Sequence, residues 1–294
     1  MSHTVVIVNP VAGGGRARRT AERARTRLGI AESVVLRLTR GAGHARELAV
    51  EAVSGGAARV VVCGGDGTVN EVASALAQSA VPLGILPFGR GNDLARALGI
   101  PASLDQALAV LAGGVVRRID VGRVNDRIFC TVAAAGFDAE VAHRVRTGLW
   151  HHAGRLGYAL GVVRSLATLQ ARPVRLEGDF GYRDGRYLLA AVSNTGWYGG
   201  GIRIAPNARP DDGQLDCCLV SEASRTRLLR LLPLAYRGGH TRFPEVEIVR
   251  TRRLRVTVEG EWPIITDSEP AGSTPATFET VPQALSVLVA PALT

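Results

Sequence analysis

The sequence predicts an N-terminal α/β domain, a parallel sheet with flanking helices, followed by a C-terminal antiparallel β-sandwich. Three observations predict it. Short β-rich runs alternate with helical patterns through the first third, the order that a helix-covered parallel sheet requires. After about Ile119 strand-like runs dominate, separated mostly by Gly, Pro, Asn and Asp turns. Finally, 294 residues with 46% hydrophobic and 21% charged side chains are enough for two cores. The expected division is 1–119, with 283–294 returning to it, and 120–282.

The first domain opens on strands at Val5–Asn9, Val34–Leu38, Val60–Cys63 and Leu83–Leu86. Between the first two, Ala17, Ala21, Ala24 and Leu28 share one face of a helix whose outer face, Arg16 to Arg27, is rich in arginine. That face reads as solvated, or as attracted to anionic lipid headgroups. Val69, Val72, Ala73, Leu76 and Ala77 mark another helix, and Ser103 with Gln106 forms a capping box ahead of Leu104, Ala107, Leu108 and Leu111. In the second domain the strand-like runs are Ile128–Ala133, Val174–Asp179, Arg186–Ser193, Leu215–Val220, Val246–Val249, Leu254–Val258 and Trp262–Thr266. A helical stretch, Thr147–Gln170, interrupts them, Pro270–Pro275 reads as a loop, and the apolar run Ala284–Val289 returns to the first domain.

Composition excludes several chemistries. All 35 Lys+Arg residues are arginine, so a Walker phosphate loop and a lysine Schiff base are both ruled out, and cationic contacts fall mainly to guanidinium groups. A net charge of +9 favours anionic partners, but aromatic residues are too scattered for a base-stacking platform, so nucleic acid is not expected. Cys63, Cys130, Cys217 and Cys218 lie in apolar runs without metal-ligand spacing and read as reduced core residues. No signal peptide and no 18-residue apolar span is found, which predicts a cytoplasmic protein.

The most informative segment runs Val60 to Val72, a strand entering Gly64, Gly65, Asp66 and Gly67 and then a helix. Its glycines expose backbone N–H groups and permit positive φ at a helix N-terminus, which suits a phosphate chain. Asp66 beside phosphate points to a bridging divalent cation and to phosphoryl transfer. Asn9, Pro10, Val11, Ala12, Gly13, Gly14 and Gly15 form a second backbone-lined turn or, taken alone, a loop, and Leu86 to Asp93 a third, with Asn92 or Asp93 capping a helix and Arg90 between glycines, where it reaches phosphate or marks a simple surface turn. In the second domain Asp211, Asp212 and Gly213 put carboxylates and carbonyls into one turn, as Mg²⁺ needs or as a plain hairpin turn supplies. Asp267 and Glu269 end a strand, as candidate bases or as solvated loop acids. His44 reads as a helix-start residue, and His151 and His152 have no paired ligand; Leu149 to Leu160 reads as core packing or a lipid entrance.

These motifs in this order resemble the bacterial diacylglycerol kinase-like lipid kinases, which share a catalytic domain with sphingosine and ceramide kinases. The resemblance spans nearly the whole chain: Asn9-Pro10 with its glycines, Thr39 with Gly43, His44 and Ala45, Gly64 to Val72, Pro87 to Asp93, Gly136 to Asp138, Gly199 to Pro206, and Asp212 to Asp216. It implies an NAD kinase/diacylglycerol kinase-like fold, ATP and Mg²⁺ as cofactors, and transfer of the γ-phosphoryl group to a lipid hydroxyl at a membrane surface. Asn9, Pro10, Val11, Ala12, Gly13, Thr39, Gly64, Gly65, Asp66, Gly67, Thr68, Val69, Asn70 and Glu71 would then hold ATP, with Arg90 on phosphate. Arg209, Asp212 and Gln214 would bind a structural Mg²⁺, the first and last through carbonyls, and Glu269 or Asp267 would take the hydroxyl proton. Two positions depart from the family: Arg90 stands where threonine is usual, and Ser268 where its Asp-Gly-Glu has glycine. An NAD-kinase-like enzyme and a nucleotide- or lipid-binding regulator without catalysis remain the alternatives. The sequence leaves oligomeric state open, a homodimer included, and points to peripheral membrane association.

Overall fold

The computed structural model describes residues 3–28, 33–136, 170–267 and 269–291. The chain divides into two compact units. One comprises Met1–Val121, Pro210–Asp212 and Val281–Thr294, the other Gly122–Arg209 and Gly213–Thr280.

In the first unit β1 (His3–Val8) lies between β2 (Ser33–Leu38) and β3 (Arg59–Gly64), and β4 (Leu83–Pro87) pairs with β3, all parallel. The central strands are apolar on both faces because both are covered. Val6, Val8, Val61, Cys63 and Leu86 face one core with Ala17, Ala21 and Ala24 of α1 (Arg16–Leu28) and Ala107, Leu108 and Leu111 of α5 (Leu104–Gly113). The alternate set, Val5, Ile7, Val60, Val62 and Ile85, is as deeply buried, toward α2 (His44–Ser54) and α3 (Asp66–Leu76). The alanines of α1 let its backbone approach the sheet while Arg16, Arg18, Arg19, Arg23 and Arg25 stay outside. Ser103 begins α5 but makes no side-chain capping bond, so the expected capping box does not form. The short helix α4 (Asp93–Ala97) follows β4.

The second unit is antiparallel. β7 (Val132–Gly136) pairs with β9 (Gly181–Ser193) and β13 (Pro263–Thr266). β9 also pairs with β8 (Arg172–Gly178) and β10 (Leu215–Ser221), β10 with β11 (Val246–Thr251), and β8 with β12 (Arg253–Val258). Alternation along these strands feeds two cores. Cys217 belongs to one with Phe129, Leu176 and Phe278, while its neighbour Cys218 belongs to the other with Leu228, Leu231 and Ile265. All four cysteines are buried and unbridged, and burial pushes the Cys63 thiol up to about 12.

The expected strand Ile128–Ala133 is two, β6 (Arg127–Phe129) and β7, and a further strand, β5 (Val115–Val124), precedes them. Pro270–Pro275 is not a plain loop. β14 (Glu269–Ser273) runs through it as a strand paired to β13, with Pro270 tolerated at a sheet edge. Helix α6 (Arg225–Ala235) was not expected; it contains Pro233. The last strand, β15 (Ala276–Val289), pairs antiparallel with β12 through Ala276 to Glu279 and parallel with β4 at Val287.

Candidate functional site

Three strands of the first unit end at the same edge, and each releases a glycine turn there. After β1, Asn9 is fixed by its N–H to Cys63 O (3.0 Å) and by its side-chain amide to Thr68 Oγ1 (3.2 Å), while its Oδ1 accepts the Val11 N–H (3.2 Å). Gly13, Gly14 and Gly15 follow with φ of 58°, 67° and 83°, left-handed values open to glycine. The turn then enters α1, where Arg16 Nε donates to Gly13 O (2.9 Å).

After β3 the glycines act differently from the expectation. Gly64, Gly65 and Gly67 do not adopt positive φ; Gly65 is extended at φ −94°, ψ −176°. What they supply is close approach. A Cβ on Gly65 would lie 3.1 Å from Gly89 Cα, and one on Gly64 would lie 2.7 Å from Thr68 Cβ. The first backbone bond of α3 runs from Val69 N–H to Gly65 O (2.9 Å), so the N–H groups of Asp66, Gly67 and Thr68 precede it, at the positive end of the helix dipole.

Asp66 joins this turn to the third. Its Oδ2 accepts the Asn92 N–H (2.9 Å) and its Oδ1 the Asp93 N–H (2.7 Å), so it caps α4 from a distant loop. Asn92 begins α4 in the left-handed region (φ 51°) and spends its side chain on Gly89, accepting its N–H (2.7 Å) and donating to its carbonyl (3.0 Å). The acid thus has a structural reason to stand there without any cation. Gly89→Ala should disturb this junction, since the new Cβ would lie 2.9 Å from Gly65 Cα and 3.0 Å from Asp66 Oδ2. A loss of about 1–3 kcal/mol is expected. Urea denaturation measures it, and an unchanged midpoint would contradict the contact.

The turns enclose a cavity of about 600 Å³ lined by Asn9, Val11–Gly14, Arg16, Gly65–Thr68 and Phe88–Arg90. Its lining holds two arginines, Arg16 and Arg90, and one acid, Asp66, whose oxygens already accept N–H bonds. Such a cavity favours an anion. A Cβ on Gly13 would lie 2.8 Å from Phe88 Cδ1, so glycine keeps this wall open. Phe88, Gly89 and Arg16 also line it, although none was among the residues expected to hold ATP. A second cavity of about 570 Å³ lies across Phe88, lined by Arg16, Arg19 and Arg23 with Leu104 and Ala107.

Other residues expected to hold ligand lie outside the lining. Thr39 donates its N–H to Val8 O (2.9 Å), Pro10 sits in the first turn, and Val69 is buried within α3. Asn70 keeps its Oδ1 buried without a hydrogen-bond partner among the described residues. Glu71 is committed elsewhere. Its Oε1 accepts the Gly43 N–H (2.9 Å) and its Oε2 the Ala45 N–H (3.0 Å), capping α2, while His44 Nδ1 accepts the Arg40 N–H (2.9 Å).

In the second unit Asp267 is buried, and both oxygens are in use. They accept the N–H groups of Cys130 (2.7 Å), Thr131 (2.9 Å) and Val132 (3.2 Å), and the Thr131 hydroxyl. Burial pushes its carboxyl above the usual range, and those donors oppose the shift. This corrects the expectation that Asp267 is a candidate base, because its lone pairs hold the entry to β7. Glu269 is exposed at the start of β14, opposite Thr266. The turn Pro210–Asp212 groups with the first unit, where Asp120 donates its N–H to Pro210 O (2.6 Å) and Arg117 pairs with Asp211. Arg209 and Gln214 group with the second. Among the described residues no three or more His, Cys, Asp or Glu gather as a metal site. A carboxylate at Asp212 with main-chain carbonyls would still be the oxygen donor set of Mg²⁺. Ser268, Phe137, Asp138, His151, His152, the helical stretch from Thr147 and the apolar Leu149–Leu160 lie outside the described residues.

Comparison with known proteins matches residues 3–124 to the diacylglycerol kinase catalytic domain and residues 131–289 to the YegS C-terminal NAD kinase beta sandwich-like domain. A diacylglycerol kinase of Mycobacterium tuberculosis (strain ATCC 25618 / H37Rv) is 38% identical over 291 residues, covering 96% of this chain and 93% of the relative. The diacylglycerol kinase of Bacillus subtilis (strain 168) is 32% identical over 240 residues, covering 81% and 79%. A crystal structure of a diacylglycerol kinase from Bacillus anthracis str. Sterne shares the fold, with a TM-score of 0.78 at 24% identity over 100% of this chain and 98% of that one.

Proposed function

This chain belongs to the diacylglycerol kinase family of lipid kinases, and we propose that it transfers the γ-phosphoryl group of ATP to the hydroxyl of a diacylglycerol-like lipid at a membrane surface. The observation that carries the reading is one cavity walled by three glycine turns and lined by a helix N-terminus, Arg16 and Arg90. The N–H groups of Asp66, Gly67 and Thr68 and the main chain of Val11–Gly14 would hold the phosphates. Arg16 and Arg90 would bind their outer oxygens, where planar guanidinium is the cation this lysine-free chain has. Asp66 acts by holding the second and third turns in register.

Glu269 is the proposed base. Its carboxylate takes the proton of the lipid hydroxyl; that oxygen bonds to the γ-phosphorus in line as the bond to the β,γ-bridging oxygen breaks, and ADP leaves. Mg²⁺ bound with ATP would offset charge on the phosphates, and a separate, structural Mg²⁺ would be held by Asp212 with the carbonyls of Arg209 and Gln214. The protein would work in the cytoplasm, visiting the membrane for its acceptor.

Labelled ATP offered in turn with diacylglycerol, a sphingoid base and NAD tests the reading. Label in a phosphorylated diacylglycerol is expected. Label in NAD would move the chain to NAD-kinase chemistry, and ATP binding without any labelled product would make it a regulator.

A further inference from the structure

We infer that the outward face of α6 is a docking surface for an anionic lipid bilayer. The helix buries Leu228, Leu231 and Ala235 at i, i+3 and i+7, the two leucines in the second unit's core with Val220, Val246 and Ile204. In a helix lying against water the opposite stripe is polar. Here the exposed positions include Leu229 (47% exposed), Pro233 and Leu234 (39%) along the helix and Tyr236 (49%) at its C-cap. Three of the large exposed apolar residues thus cluster within eight positions, too close together for chance scatter over a surface.

Charge selects the occupant. Residues 223–244 contain no Asp or Glu but include Arg225, Arg227, Arg230, Arg237 and Arg242. Arg227 pairs with Glu245 (3.0 Å). The other four are exposed and have no ion-pair partner among the described residues. A second copy packed symmetrically on this face would set arginine against arginine, which opposes a dimer. An anionic bilayer satisfies both halves of the surface: leucines enter the acyl boundary, while tyrosine and arginines stay at headgroup level. With α6 only 11 residues long, and no helix among the described residues long and apolar enough to span, the association would be shallow and reversible.

The inference deepens the lipid-kinase reading and rests on it for its purpose, since an acceptor held in a bilayer must be met there. Its test separates the two. The full chain is sedimented with vesicles of phosphatidylcholine alone and of phosphatidylcholine mixed with phosphatidylglycerol, and assayed on a short-chain diacylglycerol dispersed in detergent. Binding to the mixed vesicles, weakened by salt, is expected. Leu229→Glu with Leu234→Glu should weaken it about tenfold or more, and Arg230→Gln or Arg237→Gln about fivefold each, with detergent activity unchanged. Failure of the wild-type chain to bind mixed vesicles, or equal binding by the leucine variant, would overturn the docking surface. So would a wild-type dimer in sedimentation velocity that Leu229→Glu dissociates. Vesicle binding that depends on the leucines, without phosphorylation of any lipid, would leave this surface standing and defeat the kinase reading instead.

Discussion

Asp267→Ala is expected to destabilise the second unit by about 3–5 kcal/mol, because several buried donors are left unsatisfied at roughly 1–3 kcal/mol each. Three main-chain N–H groups, of Cys130, Thr131 and Val132, would lose their acceptor where water does not reach. Alanine would also occupy a backbone at φ 45°, which disfavours a β-carbon that forms no local hydrogen bond. Asp267→Asn isolates the electrostatic part, because asparagine tolerates this region of backbone but turns an NH₂ toward donors. It too should lower the urea midpoint, followed by fluorescence of the buried Trp262. Glu269→Gln supplies the contrast, with an unchanged midpoint and lost turnover. A stable, inactive Asp267→Asn would reverse the two assignments.

Neighbouring acids of one motif thus part company on burial, which their sequence does not encode. Asp267 and Glu269 are two residues apart in the sequence. The sequence made the parallel sheet legible because Val5–Val8 and Val60–Cys63 are apolar without interruption, as strands covered on both faces must be. It also made the turns legible, since glycine clusters punctuate the strand ends. Their partners were not. Glu71 reaches Gly43 and Asp66 reaches Asn92, each across more than 25 residues of chain, and no periodicity reports such a bond. The need for glycine at position 65 comes from Gly89 rather than from its own dihedral angles. Helix α6 was hidden by Pro233, which breaks a helical pattern read from sequence.

Asp66→Ala is expected to cut kcat/KM by about 10²–10³. The mechanism is loss of register. Without the carboxylate, the N–H groups of Asn92 and Asp93 have no cap, and the turn from Phe88 to Asn92 is released from the turn at Gly65. Both turns wall the anion cavity, and a displacement of about 1 Å at a phosphate is enough to misalign an in-line transfer. Stability should fall less, by about 1–3 kcal/mol, because α4 is short and the freed N–H groups are only partly buried. Activity measured well below the unfolding transition separates the two effects: a folded chain with weakened ATP affinity and slow turnover fits a register role. If nucleotide affinity stayed intact while turnover alone vanished, Asp66 would instead act on the transferring group or its metal. Undiminished turnover would mean that the junction of the two turns does not position the phosphates at all.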